Sequence, residues 1–230
     1  MTFLFPPHPT SVIPVQDSDH AFPVHRIYCV GQNYSDHVKE MGGDPRENPP
    51  VFFSKPSDAV VIGNQPVTYP PATSDLHYEV ELVVALASGG SDIDVEEALA
   101  RVFGYAVGID FTRRDLQAEA KKQGRPWDAA KGFDQSAPTS AIRSTNEDDH
   151  PLVGRISLSV NGETRQDAKL SDMIWSVPEI ISELSKYYEL KAGDLIFTGT
   201  PAGVSGVVAG DQIHAEIEGV GEIHFVLVAR

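Results

Sequence analysis

Strict alternation of apolar and polar residues is clearest near the C-terminal end, where QIHAEIEG and GEIHFVLV each place every second side chain on one apolar face and predict a final pair of strands. RISLSVNGETRQD repeats the pattern around Asn161-Gly162, a pair suited to the positive backbone angles of a tight hairpin turn. RIYCVG and VFFSKP are short β-rich runs, ended by Gly31 and Pro56. LHYEVELVVAL predicts a strand over 76–86 in which His77, Glu79 and Glu81 alternate with Tyr78, Val80 and Leu82. GYAVGID is an apolar run, hence a buried strand, ending on Asp110, and DLIFTGT leads into the glycine-rich PAGVSGVVAG.

Helical spacing is rarer. Asp94 with Glu97, and Ser176 with Glu179, have the spacing of capping boxes, opening helices through VEEALARV and EIISELSKYYEL. Residues 112–123 have a helical pattern, after which Gly124, Pro126 and Gly132 predict a loop. A short helix over Tyr34–Met41 would set His37 and Glu40 three apart on one face. The first 25 residues hold five prolines and no sustained period, so residues 1–25 are expected to form an N-terminal arm and residues 26–230 one catalytic domain. The class is α+β, mostly β, with few helices.

Composition narrows the chemistry. The single cysteine, Cys29, excludes an internal disulfide and a thiolate zinc cluster, so a bound metal would need oxygen or imidazole ligands. Oxygen ligands favour magnesium, manganese or calcium. The net charge of −15 repels phosphate backbones and makes nucleic acid an unsuitable partner. No apolar run approaches a membrane span, and MTFLFPPHPTSV lacks the basic start and apolar stretch of a secretory signal, so the cytoplasm is the expected compartment. A third of the 18 basic residues fall within 113–131, a segment that could receive an anion, although for Lys121 and Lys122 a solvated helix face is the better reading.

Glu79 and Glu81, two apart on a strand, project from one face and could converge on a cation, whereas a water-facing strand is the commoner meaning of such a pair. The apolar VVAL that follows favours an interior position. Asp110 is the only charge in YAVGIDF, and a buried unpaired carboxylate is costly; it could instead cap the following helix. His37 and Glu40 could form a base with its orienting carboxylate. Lys131, placed in the expected loop before Gly132, could steady an oxyanion or simply face solvent. TGTPAGVSG suits an anion nest but has no P-loop lysine.

Together YCVGQNYSDHVKEMG, FFSKPSDAV, HYEVELVVAL, GYAVGIDFTRRDLQ, RPWDAAKGFD, VNGETRQ and IFTGTPAGV resemble the fumarylacetoacetate hydrolase family over about Arg26 to Val228, most closely its smaller acylpyruvate hydrolases. The opening FPVHRIYCVGQNY is similar to the bacterial fumarylpyruvate hydrolases of gentisate-type aromatic breakdown. The resemblance implies a rolled, strongly twisted mixed β-sheet, a homodimer, and Mg2+ or Mn2+ on Glu79, Glu81 and Asp110. It implies that His37 and Glu40 activate water, that Lys131 is the active-site lysine, that Arg114 and Gln117 help hold the substrate, and that Thr200 meets the carboxylate end of a small 2-oxo acid. Gln32 stands where many relatives have arginine in G-R-N-Y. The expected reaction is hydrolysis of an acylpyruvate, fumarylpyruvate to fumarate and pyruvate. Oxaloacetate decarboxylation or keto-enol isomerisation on the same site, and a non-catalytic module binding a cation or small acid, are the alternatives.

Overall fold

The computed structural model describes residues 2–34, 46, 49–146 and 149–230. His37 and Glu40 lie outside the described residues. Two sheets carry the molecule. An eight-stranded mixed sheet runs in the order 51–55, 27–31, 195–197, 80–86, 102–109, 137–139, 60–62, with 143–144 also paired to 102–109. A five-stranded sheet runs 163–169, 155–160, 212–217, 221–228, 67–68. The curled, mostly β architecture with few helices is the one the sequence implied.

The main core lies where Val80, Leu82, Val84, Tyr105, Val107 and Ile109 meet Ile156, Leu158, Ile213, Ala215, Ile223 and Phe225 of the five-stranded sheet. The opposite parity of the same central strands, Val83, Ala85 and Ala106, packs with Ile27, Cys29, Leu195 and Phe197. Val80–Leu86 is therefore buried at every position, and each leucine or valine so enclosed contributes about 1.5–3 kcal/mol. Ile13 and Phe22 of a small hairpin, Val12–Pro14 with Ala21–Pro23, cover that second core.

The Asn161-Gly162 hairpin is present, with φ of 53° and 80° at its two turn residues. Ser176 opens the helix Val177–Ser185, its amide donating to the Glu179 carboxylate at 2.8 Å. The helix after Asp94 is shorter than its pattern predicted. Only Val95–Ala98 is α-helical before a 3-10 turn over Leu99–Arg101, and the Asp94 side chain makes no capping bond.

Two corrections concern the segments that build the site. The run 76–86 is not one strand: Leu76–His77 pairs with Thr112–Arg113 and with Gly206–Val207 in a separate three-stranded sheet, and Val80–Leu86 pairs with Val102–Ile109. Both partners break at the same level, at Tyr78-Glu79 and at Asp110-Phe111, because the chain leaves one sheet for another there. The segment after Gly124 is not a plain loop either, since Asp128–Lys131 forms one helical turn.

A buried carboxylate cluster as candidate active site

The break in the two strands gathers the acids. The register Val80↔Ile109 sets Glu79 beside Asp110, and the Asp110 amide donates to the Glu79 carbonyl at 2.8 Å. Glu81 follows, opposite Gly108. Each of the three offers a carboxylate oxygen within 4.8 Å of the others, and all three residues are buried.

Three cations hold this charge. Lys131 ends its helical turn and is buried rather than solvent-exposed. Its ammonium donates to Glu79 Oε2 at 2.8 Å, Asp110 Oδ2 at 2.7 Å and Thr112 Oγ1 at 2.6 Å, which uses all three of its protons. Lys55, from the Val51–Lys55 strand, lies behind Asp110 with Nζ 2.9 Å from Oδ1, and donates to the carbonyls of Phe111 and Lys131. Arg114, first residue of the helix Arg114–Gln123, pairs through Nη2 with Glu79 Oε1 and donates through Nη1 to Gln117 Oε1 at 2.6 Å.

The two glutamates end in opposite states. Burial alone would push Glu79 up, but Lys131 and Arg114 outweigh it and hold its carboxyl at about 2. Burial, then the charges of Asp110 and Glu79, push Glu81 well above the usual carboxylate range. No lysine or arginine pairs with Glu81 among the described residues; its Oε2 accepts one amide, from Gly199, at 2.8 Å. Gly199 can bring that amide close because its φ is 95° and a Cβ there would stand 2.6 Å from the Asn33 Cβ. Burial works against Lys131, but Asp110 and Glu79 more than offset it and raise its pKa, so it is a permanent ammonium that can donate and cannot act as a base.

Glu81 is thus the acid whose countercharge is missing, and Asp110 Oδ1 is buried without a well-directed hydrogen bond. An all-oxygen set with one unbalanced carboxylate suits a hard divalent cation. Three carboxylates facing three cations plus such an ion would leave the site two charges positive, ready for an anion.

Above the cluster opens a recess of about 40 Å³, lined by Gln32, Arg114, Gln117, Lys121, Trp127 and Thr200 among others. Thr200 donates to the Val80 carbonyl at 2.8 Å and accepts from Gln166 at 2.8 Å. Gln166 also receives the Val80 amide, so the five-stranded sheet braces the strand that carries Glu81. A larger cavity of about 760 Å³ lies beside the small N-terminal hairpin. Its Arg143 is already paired with Asp149, and it brings no cluster of acids together.

The structure therefore brings Glu79, Glu81, Lys131, Arg114, Gln117 and Thr200 to the lining of one recess, with Asp110 in the same carboxylate cluster. Lys55 was missed by sequence reasoning, although a lone lysine in the apolar VFFSK run was a usable signal. Lys121 is exposed, as the solvated reading expected, and it also lines the recess. No helix among the described residues is long and apolar enough to cross a membrane.

The protein belongs to the fumarylacetoacetate hydrolase family, whose C-terminal domain description matches residues 26–228. Among solved structures, a fumarylpyruvate hydrolase from Pseudomonas aeruginosa in complex with Mn2+ and pyruvate is 46% identical, with a TM-score of 0.96 over 100% of both chains. The fumarylpyruvate hydrolase of a Ralstonia species is 45% identical over 75% of this chain and 89% of its own. The mitochondrial oxaloacetate tautomerase of Rattus norvegicus is 47% identical over 86% of this chain and 90% of its own.

Proposed function

We propose that the protein is a metal-dependent hydrolase that cleaves the carbon–carbon bond of an acylpyruvate, with fumarylpyruvate yielding fumarate and pyruvate. The observation that carries this reading is the triad Glu79, Glu81 and Asp110, with the ammonium of Lys131 in hydrogen-bond contact with two of its members. The full-length likeness to a fumarylpyruvate hydrolase supports it, since that match includes the first 25 residues.

In this reading Glu79, Glu81 and Asp110 hold Mg2+ or Mn2+. When bound, the ion supplies a Lewis acid for the 2-oxo carboxylate end of the substrate and for the enolate that departs. His37, oriented by Glu40, takes a proton from the water whose oxygen attacks the distal carbonyl carbon. Lys131, always charged, can donate to the oxyanion that forms there only by releasing one of its three acceptors, of which Thr112 Oγ1 is the uncharged one. The bond from that carbon to the pyruvate methylene then breaks; its electron pair leaves as the enolate, which the proton held on His37 can return to the ketone. Arg114 and Gln117 steady the bound acid from one helix. Thr200 serves the carboxylate end, and can donate there only by releasing the Val80 carbonyl. The enzyme acts as a cytoplasmic homodimer in gentisate-type aromatic breakdown.

The test follows enol absorbance for fumarylpyruvate, maleylpyruvate, acetylpyruvate and oxaloacetate, with and without magnesium, and identifies products. Fumarate and pyruvate in equal amounts are expected. Replacing His37 with alanine should lower turnover roughly 10²- to 10⁴-fold in saturating magnesium; undiminished turnover removes the proposed base. The relationship to an oxaloacetate tautomerase favours a second reading, in which the same cluster steadies an enolate without an attacking water. Interconversion of oxaloacetate tautomers with no acylpyruvate cleaved would select it, release of carbon dioxide from oxaloacetate would select decarboxylation, and metal-dependent melting without any product would select a binding module.

A further inference from the structure

Arg114, Gln117 and Lys121 all line the recess, and their spacing of three and then four residues sets them in a row along one face of the Arg114–Gln123 helix. The row begins on the carboxylate cluster, where Arg114 pairs with Glu79. It ends at Lys121, about 10 Å farther along the axis for seven residues of rise. Lys121 lies at the mouth of the recess, with Nζ 5.1 Å from the centre of the Trp127 ring. Trp127 packs against Phe53, their ring centres 5.8 Å apart, so the aromatic wall under Lys121 is braced by the strand that carries Lys55.

The cations of this recess differ in one respect. Arg114 and Lys131 are spent on Glu79 and Asp110, whereas Lys121 has no carboxylate at ion-pair distance among the described residues. The same lining includes Gln32, which carries no charge. A cation held over an aromatic face, on the lip of an anion-binding recess, is a receptor for a second negative group.

Building on the hydrolase reading above, we propose that Lys121 recognises a carboxylate at the far end of the substrate, so that the enzyme takes acylpyruvates whose acyl part ends in a carboxylate in preference to those that end in a methyl group. One end of such a molecule is fixed at the acid cluster, beside Lys131, and the other at Lys121, with the scissile bond between them. Trp127 positions Lys121 by limiting where its flexible stem can place the ammonium.

Titration calorimetry on the magnesium-loaded full chain tests this with fumarate and pyruvate as separate probes, in the wild type, Lys121→Met and Lys121→Arg. Lys121→Met should weaken fumarate roughly 10- to 100-fold, the usual worth of one charge-assisted hydrogen bond, and should move pyruvate far less; Lys121→Arg should restore most of the loss. In turnover, the preference for fumarylpyruvate over acetylpyruvate should fall by a similar factor in Lys121→Met. Wild-type protein that binds no fumarate, fumarate affinity unchanged in Lys121→Met, or equal losses for both probes would overturn the assignment. If the wild type cleaves no acylpyruvate yet loses fumarate on Lys121→Met, the hydrolase reading fails and the role of Lys121 stands.

Discussion

The floor and the lip of the recess treat positive charge in opposite ways. On the floor, Lys55 and Lys131 are buried, and every proton of Lys131 is committed to an acceptor. On the lip, Lys121 is exposed and rests on an aromatic ring. Buried ions survive only with partners, because desolvation costs several kcal/mol for each. Lys121 bears part of that cost, its pKa lowered first by desolvation and then by Arg114, but with no carboxylate at ion-pair distance among the described residues it stays free to bind. On the proposed reading, the difference separates a floor that would hold a cation and steady an oxyanion from a lip that would choose among substrates.

The comparison breaks first at Lys55. Replacing it with methionine leaves Asp110 buried beside one ammonium instead of two and leaves the Lys131 carbonyl with Ser136 Oγ as its remaining side-chain donor. A loss of about 3–5 kcal/mol is expected in urea unfolding; an unchanged midpoint would mean that Asp110 needs no second counterion. Next in size is Lys131→Met, for which kcat should fall roughly 10²- to 10³-fold, as for the loss of one oxyanion donor. Since its raised pKa keeps Lys131 protonated, no basic limb of the pH–rate profile near neutrality should belong to it.

A third effect concerns protons. Without a cation the folded state keeps Glu81 protonated above the pH at which an unfolded glutamate ionises, because burial and then Asp110 and Glu79 raise its pKa. That contribution to stability is fully present below the unfolded pKa and is lost as pH rises through the folded one. Metal-free protein should therefore lose stability as pH rises, and metal should abolish the trend. Loading Mg2+ near neutral pH should release up to one proton, read as a dependence of calorimetric heat on buffer ionisation enthalpy. The smallest effect belongs to the lip, where Trp127→Leu should cost about 0.5–1 kcal/mol of fumarate binding, the worth of an exposed cation–π contact.

What could be seen in the sequence follows the same division. The hairpin at Asn161-Gly162 and the closing strands are local features, with alternation and turn chemistry written into adjacent residues. The glutamate pair was visible because its members stand two positions apart with only Val80 between them, and Asp110 because it interrupts an apolar run. The break at Tyr78-Glu79 was hidden, since a chain can pass from one sheet to another without losing its alternation. Lys55 showed only as a lone lysine ending VFFSK; its partner lies 55 residues away, and no local pattern encodes such a distance. Lys121 was read as solvated because its helix is mostly polar and buries only Gln117, and it is exposed; the spacing of Arg114, Gln117 and Lys121 was the signal that it also lines the recess.

The most direct test counts bound Mn2+ by electron paramagnetic resonance in the wild type and in Glu81→Gln, a change that keeps the shape of the side chain and removes the one carboxylate without a cationic partner. One tight ion per chain, lost or weakened at least about 100-fold in the variant, is the predicted result. Equal occupancy and affinity in both proteins would show that the ion is held elsewhere, and would contradict a cation centre built from Glu79, Glu81 and Asp110.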